Sequence, residues 1–393
     1  MKEENSLIEN SIEIEKTSEN FFQIDLLKTF MIAFVILDHA IAYSGFYGMG
    51  LELWERMSIP MFLIILGFNM GKSFARQGEK SLKDLYSINY FKKKFWRFIF
   101  PYLIFYFIST MIGFFLYENR APYYFPRTFK DNWILEYIIF QKSLLQGPGN
   151  WFIPILFQSI ILMPVLYKLF SKWPKLSLIM CFIIEIFMHL FLFLYNGPLT
   201  SPDDWQRELN FRYLIILYIS AIGMGIWFSQ DHNLFSKRNL FVWILFPISL
   251  IYMIAWDFFN FRLGTDVGTG IVRGDYNYLT FIYSALIFLI IIRLIPKNPK
   301  NKFAKVFSAI GKATFHIYLI QDLFYITLYI IYRPIWRPIS FSGVVNILGI
   351  ASNDFLINLA LLILNWIIFI SIGVIWWYLE KKVKNLVRNY YYN

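Results

Sequence analysis

Phe355–Leu379 reads FLINLALLILNWIIFISIGVIWWYL, with no Asp, Glu, Lys or Arg in it. A helix needs roughly 20 mostly apolar residues to cross the hydrocarbon core of a bilayer. This stretch is long enough, and it is apolar on every face. Similar runs lie at Ile24–Ser44, Trp54–Phe74, Phe95–Tyr117, Trp151–Phe170, Leu176–Tyr195, Tyr213–Ser229, Leu240–Phe258, Tyr278–Ile295 and Ile310–Tyr332. The shorter run Trp133–Leu145 suits an interfacial or re-entrant segment. Of the 393 residues, 58% are hydrophobic and 16% charged, with mean hydropathy +0.49. A soluble domain carries about 25% charged residues. The reading is an all-α polytopic membrane protein, a bundle of about ten transmembrane helices.

The polar remainder sets organisation and direction. Residues 1–22 are acidic, the wrong charge for a secretory signal, and read as a disordered tail. Residues 23–382 form one transmembrane domain and 383–393 a second tail. The net charge of +11 would raise nucleic acid as a partner in a soluble protein. Here Lys and Arg sit mostly in alternate short loops, above all in 72–97, and these loops hold more than twice the basic residues of the others. The positive-inside rule places both termini in the cytoplasm of a plasma-membrane protein and implies no nucleic acid. The single Cys181 excludes an intrachain disulfide, and four His without paired carboxylates at ligand spacing predict no metal.

Ionisable residues inside spans are costly and turn toward protein or water. They are Lys28, Asp38, His39, Glu185, His189, His316 and Asp322. Lys28 and His39 stand eleven residues apart, about 20° from whole turns, so they share a helix face with a rise of about 16 Å. Taken singly, Lys28 could snorkel to headgroups and His39 could make a structural hydrogen bond. Asp322 and His39 lie at similar depths, roughly 18 and 22 Å into their spans, so they could meet if the spans are neighbours. Glu185 and His189, four apart, read as a structural pair. Lys93, Lys94 and Arg97 head the most basic loop. They could grip a phosphate or anionic headgroups, and spacing alone favours the headgroups.

Five blocks together resemble the acyltransferase 3 family of membrane acyltransferases. The first is Gln23–Lys28 through Leu37–Ala40, a basic residue and a His separated by ten residues, with Lys28 where Arg is usual. The others are Ile59–Phe62 through Leu66–Gly67–Phe68; Lys94–Arg97 with Pro101–Tyr102; Asn150–Ile153; and, more weakly, Ile310–Lys312 through Ile317–Asp322, with Gln321 where many members have His.

The resemblance implies transfer of an acyl group, often acetyl, from cytoplasmic acyl-CoA to a hydroxyl of an extracytoplasmic glycan. Under it His39 is the general base, Asp322 fixes its tautomer, and Lys28, Lys93, Lys94 and Arg97 hold the donor's phosphates. Trp151 and Asn150 meet the acceptor, although an interfacial Trp needs no such role. A membrane transporter or flippase for a glycan or lipid precursor is the rival class, since basic mouths and intramembrane charges suit it too. A structural or sensing membrane protein would explain the composition but not the Lys28–His39 spacing.

Overall fold

The computed structural model describes residues 21–40, 51–78, 80–117, 151–196, 214–259, 261, 276–332 and 355–392. The run Trp133–Leu145 and Asn150 lie outside them. Ten helices of twelve or more residues occupy the described parts of the ten apolar runs: α1 (Phe22–Ala40), α2 (Ser58–Ala75), α3 (Phe100–Tyr117), α4 (Phe152–Lys172), α5 (Pro174–Asn196), α6 (Ile219–Gln230), α7 (Leu240–Phe259), α8 (Tyr278–Leu294), α9 (Lys302–Tyr332) and α10 (Phe355–Tyr392). The last continues as helix through 383–392, which composition alone sets apart as a tail.

Among the described residues six segments are long and apolar enough to cross a membrane, those built on α2, α3, α4, α5, α7 and α10. The other four long helices fall short for visible reasons. α1 carries Asp25, Lys28 and Asp38, and α9 carries His316, Gln321 and Asp322. α6 and α8 are short. These four sit inside. α6 buries every residue from Ile219 to Ser229, and α8 buries most of its length. The polar helices are thus wrapped by apolar ones. α3, α5, α7 and α10 turn Phe107, Phe187, Ile251 and Ile375 outward, with Phe187 63% and Ile251 67% exposed. So wide a belt of exposed apolar side chains is a liability in water and ordinary in lipid.

The tightest helix contact is between α2 and α6. Gly67 and Gly71, four apart, face Gly225 and Ser229, also four apart. A Cβ on Gly225 would meet the Phe68 nitrogen at 2.8 Å and the Gly67 Cα at 2.9 Å. Small residues at this spacing let membrane helices pack backbone to backbone, where lipid supplies no hydrophobic drive between them. Elsewhere, Gly311 brings α9 onto the Asp25 backbone of α1, and Gly373 brings α10 onto Ile317 of α9.

Two prolines shape the basic end. Pro164 lies inside α4 and cannot donate to the carbonyl of Ile160. The Tyr90 hydroxyl donates to that carbonyl at 2.7 Å. Pro101 follows a π-helical turn, Phe95–Ile99, which joins the short helix Ile88–Lys94 to α3.

Candidate active site

Lys28 and His39 share the unbroken helix α1, as their spacing predicts. Around them α1 and α9 are stitched together. Ser308 Oγ donates to Asp25 Oδ2 at 2.7 Å, and Thr29 Oγ1 donates to the Phe307 carbonyl at 2.9 Å. Farther along, the His39 Nδ1 meets the Gln321 side-chain amide. His39 Nε2 lies 3.6 Å from Asp38 Oδ2, and the His39 and Tyr325 ring centres are 6.0 Å apart. The residue of α9 that contacts His39 is therefore Gln321 and not its neighbour Asp322. Asp322 is wholly buried, and neither carboxylate oxygen has a hydrogen-bond partner among the described residues. The Gln321 Oε1 and the Tyr325 hydroxyl are likewise buried and unpartnered there. Asp322 lies within electrostatic reach of Tyr102 at the start of α3. This end thus holds an imidazole and, on the stretch of α9 that reaches it, buried polar atoms without hydrogen-bond partners among the described residues, which is unusual inside a protein.

At the other end of α1, Lys28 Nζ is 3.8 Å from Asp25 Oδ1. It also feels the charges of Arg97 and Lys312, and Arg97 in turn that of Lys94. Lys94 points its ammonium at the Met70 sulfur, 2.6 Å away, and lies over the Tyr90 and Phe98 rings. A thioether is a weak acceptor and a poor partner for a full charge. Arg97 keeps solvent access although protein crowds it, and Lys93 faces outward beside them. Of these cations, Lys28 and Arg97 feel the carboxylate of Asp25. A gathering of cations of this kind suits an anion.

Trp151 sits between other groups. Its ring stacks with Tyr218 at 5.4 Å and with Tyr276 at 5.8 Å. The Tyr276 hydroxyl donates to Glu55 at 3.0 Å, Glu55 lies 3.5 Å from Arg56, and Arg56 reaches Asp257 at 3.3 Å. Tyr residues thus already occupy stacking positions on Trp151. Glu185, on the same helix as His189, has a partner on α6. It accepts from the Ser220 amide at 2.9 Å, in the first turn of α6, where a carboxylate offsets the helix dipole. His189 packs on the Tyr278 ring at 5.8 Å. Among the described residues no three His, Cys, Asp or Glu side chains gather as a metal site would.

The five sequence blocks meet in space. His39 of the first touches Gln321 of the last. Phe98, between Arg97 and Pro101 of the third, packs on Phe315, just ahead of Ile317–Asp322, at 5.7 Å. Phe152 of the fourth packs on Phe62 of the second at 6.3 Å and on Tyr318 of the last at 6.2 Å. Residues 21–379 match the family model described as an acyltransferase domain, that of acyltransferase 3. The chain belongs to the acyltransferase 3 family. No curated protein and no solved structure matches it. The match spans nearly the whole chain, so the activity class of a membrane acyltransferase attaches to the bundle as a whole.

Tyr325, Glu380 and Lys384 escaped the sequence reading. Tyr325 carries no charge to betray it within an apolar run. Glu380 and Lys384 lie past the apolar run, where charge is expected. Only the His316 with which Glu380 pairs was conspicuous.

Proposed function

We propose that this acyltransferase takes an acyl group, acetyl in the simplest case, from cytoplasmic acyl-CoA and gives it to a hydroxyl of an extracytoplasmic glycan, with His39 as general base. The observation that carries the reading is α1 itself. One rigid helix holds a cation cluster around Lys28 and, about 16 Å along the same face, an imidazole. Acyl-CoA has the same layout, with phosphates at one end and a thioester at the end of a long arm. Lys28, Lys94 and Arg97 take the phosphates, with Lys93 at the entrance.

The Gln321 amide can present its oxygen to His39 Nδ1–H by turning about its last bond. That leaves Nε2 free to take the proton of the attacking hydroxyl. The O–H bond breaks to Nε2, the oxygen bonds to the thioester carbonyl carbon, and the C–S bond breaks to release coenzyme A thiolate. The new imidazolium then lies beside Asp38. Asp322, whose oxygens have no hydrogen-bond partner among the described residues, supplies acceptor atoms for the substrate's remaining hydroxyls. In this reading Trp151 meets the acceptor.

The test is acyl transfer in membranes of matched protein content. His39→Ala is expected to lose about 10²- to 10⁴-fold in rate, the usual worth of a positioned general base. Retained activity sinks the assignment. Lys94→Ala with Arg97→Ala is expected to raise the donor KM about 10²- to 10⁴-fold, each of the two charge-assisted contacts being worth about 1.5–3 kcal/mol. An unchanged KM means that these residues serve topology alone.

A further inference from the structure

The π turn at Phe95–Ile99 leaves one carbonyl without a backbone donor. In an α-helix the Trp96 carbonyl would accept from the Phe100 amide. Here the Phe100 amide donates to the Phe95 carbonyl instead, and the next residue, Pro101, has no N–H. A buried orphan carbonyl is costly. The ammonium of Lys384, from the far end of α10, donates to it. The same ammonium pairs with Glu380, one turn back, and rests near the Trp96 and Phe100 rings at 5.8 and 5.9 Å. Glu380 is buried and its other oxygen lies 3.0 Å from His316 Nε2 of α9. His316 is held edge-on against Trp376 of α10 at 5.1 Å. On the opposite side of Arg97, Phe98 packs on Phe315, the neighbour of His316. Both residues flanking Arg97 in sequence are therefore pinned, one to α10 and the other to α9. π turns of this kind mark functional sites because they re-aim side chains.

We propose that Lys384, held in place by Glu380 and His316, is a positioning residue that fixes the π turn so that Arg97 faces Lys28 as one phosphate site for the acyl-CoA donor. The inference rests on the donor reading above, and its test separates the two. The probe is coenzyme A, titrated calorimetrically into the full-length protein in detergent. Lys384→Met keeps the aliphatic stem and removes the donor. It is expected to weaken coenzyme A binding about tenfold, the worth of one charge-assisted hydrogen bond, and Lys384→Arg is expected to recover most of the loss. The double variant Lys384→Met with Arg97→Ala is expected to bind no more weakly than Arg97→Ala alone, because residues acting through one group are not additive. Additive losses would make Lys384 a direct phosphate ligand and overturn the positioning role. Wild-type affinity in Lys384→Met would overturn it too, with the donor reading left standing. If the wild type itself binds no coenzyme A, the donor reading fails, and amide exchange across residues 98–102 decides the clamp. Faster exchange in Lys384→Met supports it and unchanged exchange overturns it.

Discussion

Gln321 carries an amide, so the group that touches His39 can orient a proton but cannot take one up. Under the proposed reading the tautomer is fixed through a neutral group where many family members have a titratable ring, and the proton leaves His39 by another route. Replacing Gln321 with Leu removes the partner and leaves the imidazole nitrogen unpaired. The cost of such an orphan is about 1–3 kcal/mol, which corresponds to roughly tenfold to a hundredfold in kcat. Donor KM should not move, because Gln321 lies at the imidazole end of α1 and not among the cations. Steady-state transfer at varied donor concentration checks both numbers, and a KM effect with normal kcat would remove Gln321 from the His39 end. The depth match between α1 and α9 was legible in the sequence, since helix rise alone gives it. Which of the neighbours Gln321 and Asp322 faces His39 was not. A single step around a helix turns a side chain by 100°, and only packing sets that rotation. Here the approach of Gly311 to Asp25 and the Ser308–Asp25 bond set it.

Helices whose apolar face meets lipid announce themselves by length and hydropathy, and those of this chain did. The inner helices are harder to read because their surroundings are protein. α6 has a weak pattern and a start set by a 3-10 turn, Ile215–Tyr218, together with the buried Glu185 cap. Its place is secured instead by backbone contact with α2. The glycines are visible in the row of letters, but their partners are not, since Gly67 and Gly225 are far apart in sequence. Gly225→Val tests the contact. Its Cβ would press on backbone atoms of α2, which cannot rotate away as a side chain can. Overpacking of this sort costs about 1–3 kcal/mol or more, so the purified protein should lose several degrees of melting temperature. Ile251→Val, on the outward face of α7, should leave it unchanged. The π turn was equally hidden. Pro101 lies inside the apolar run Phe95–Tyr117, and only the Phe100–Phe95 bond shows that a π turn precedes it.

Across the whole molecule the charges divide by end. Lys28, Lys94, Arg97, Lys312 and Lys384 gather at one end of α1, and His39, Gln321 and Tyr325 lie toward the other. If acyl-CoA comes from the cytoplasm, the cation end must face it, and the position of the C-terminal helix follows. Lys384 bonds the π turn, so the end of α10 lies on the same side as the donor cluster. Exposed Lys381, one helical turn beyond Trp377 with its ammonium 5.5 Å from that ring, is a convenient reporter of that side. In a background with Cys181 replaced by Ser, a side chain small enough for the contact with Gly223, Lys381→Cys should resist a membrane-impermeant maleimide in intact cells. It should react once the membrane is opened. Labelling in intact cells would put the cation cluster outside, where no acyl-CoA pool exists to meet it. Transfer from cytoplasmic acyl-CoA would then be untenable whatever His39 does, because the phosphates and the thioester would enter from the wrong end of a helix that fixes their order.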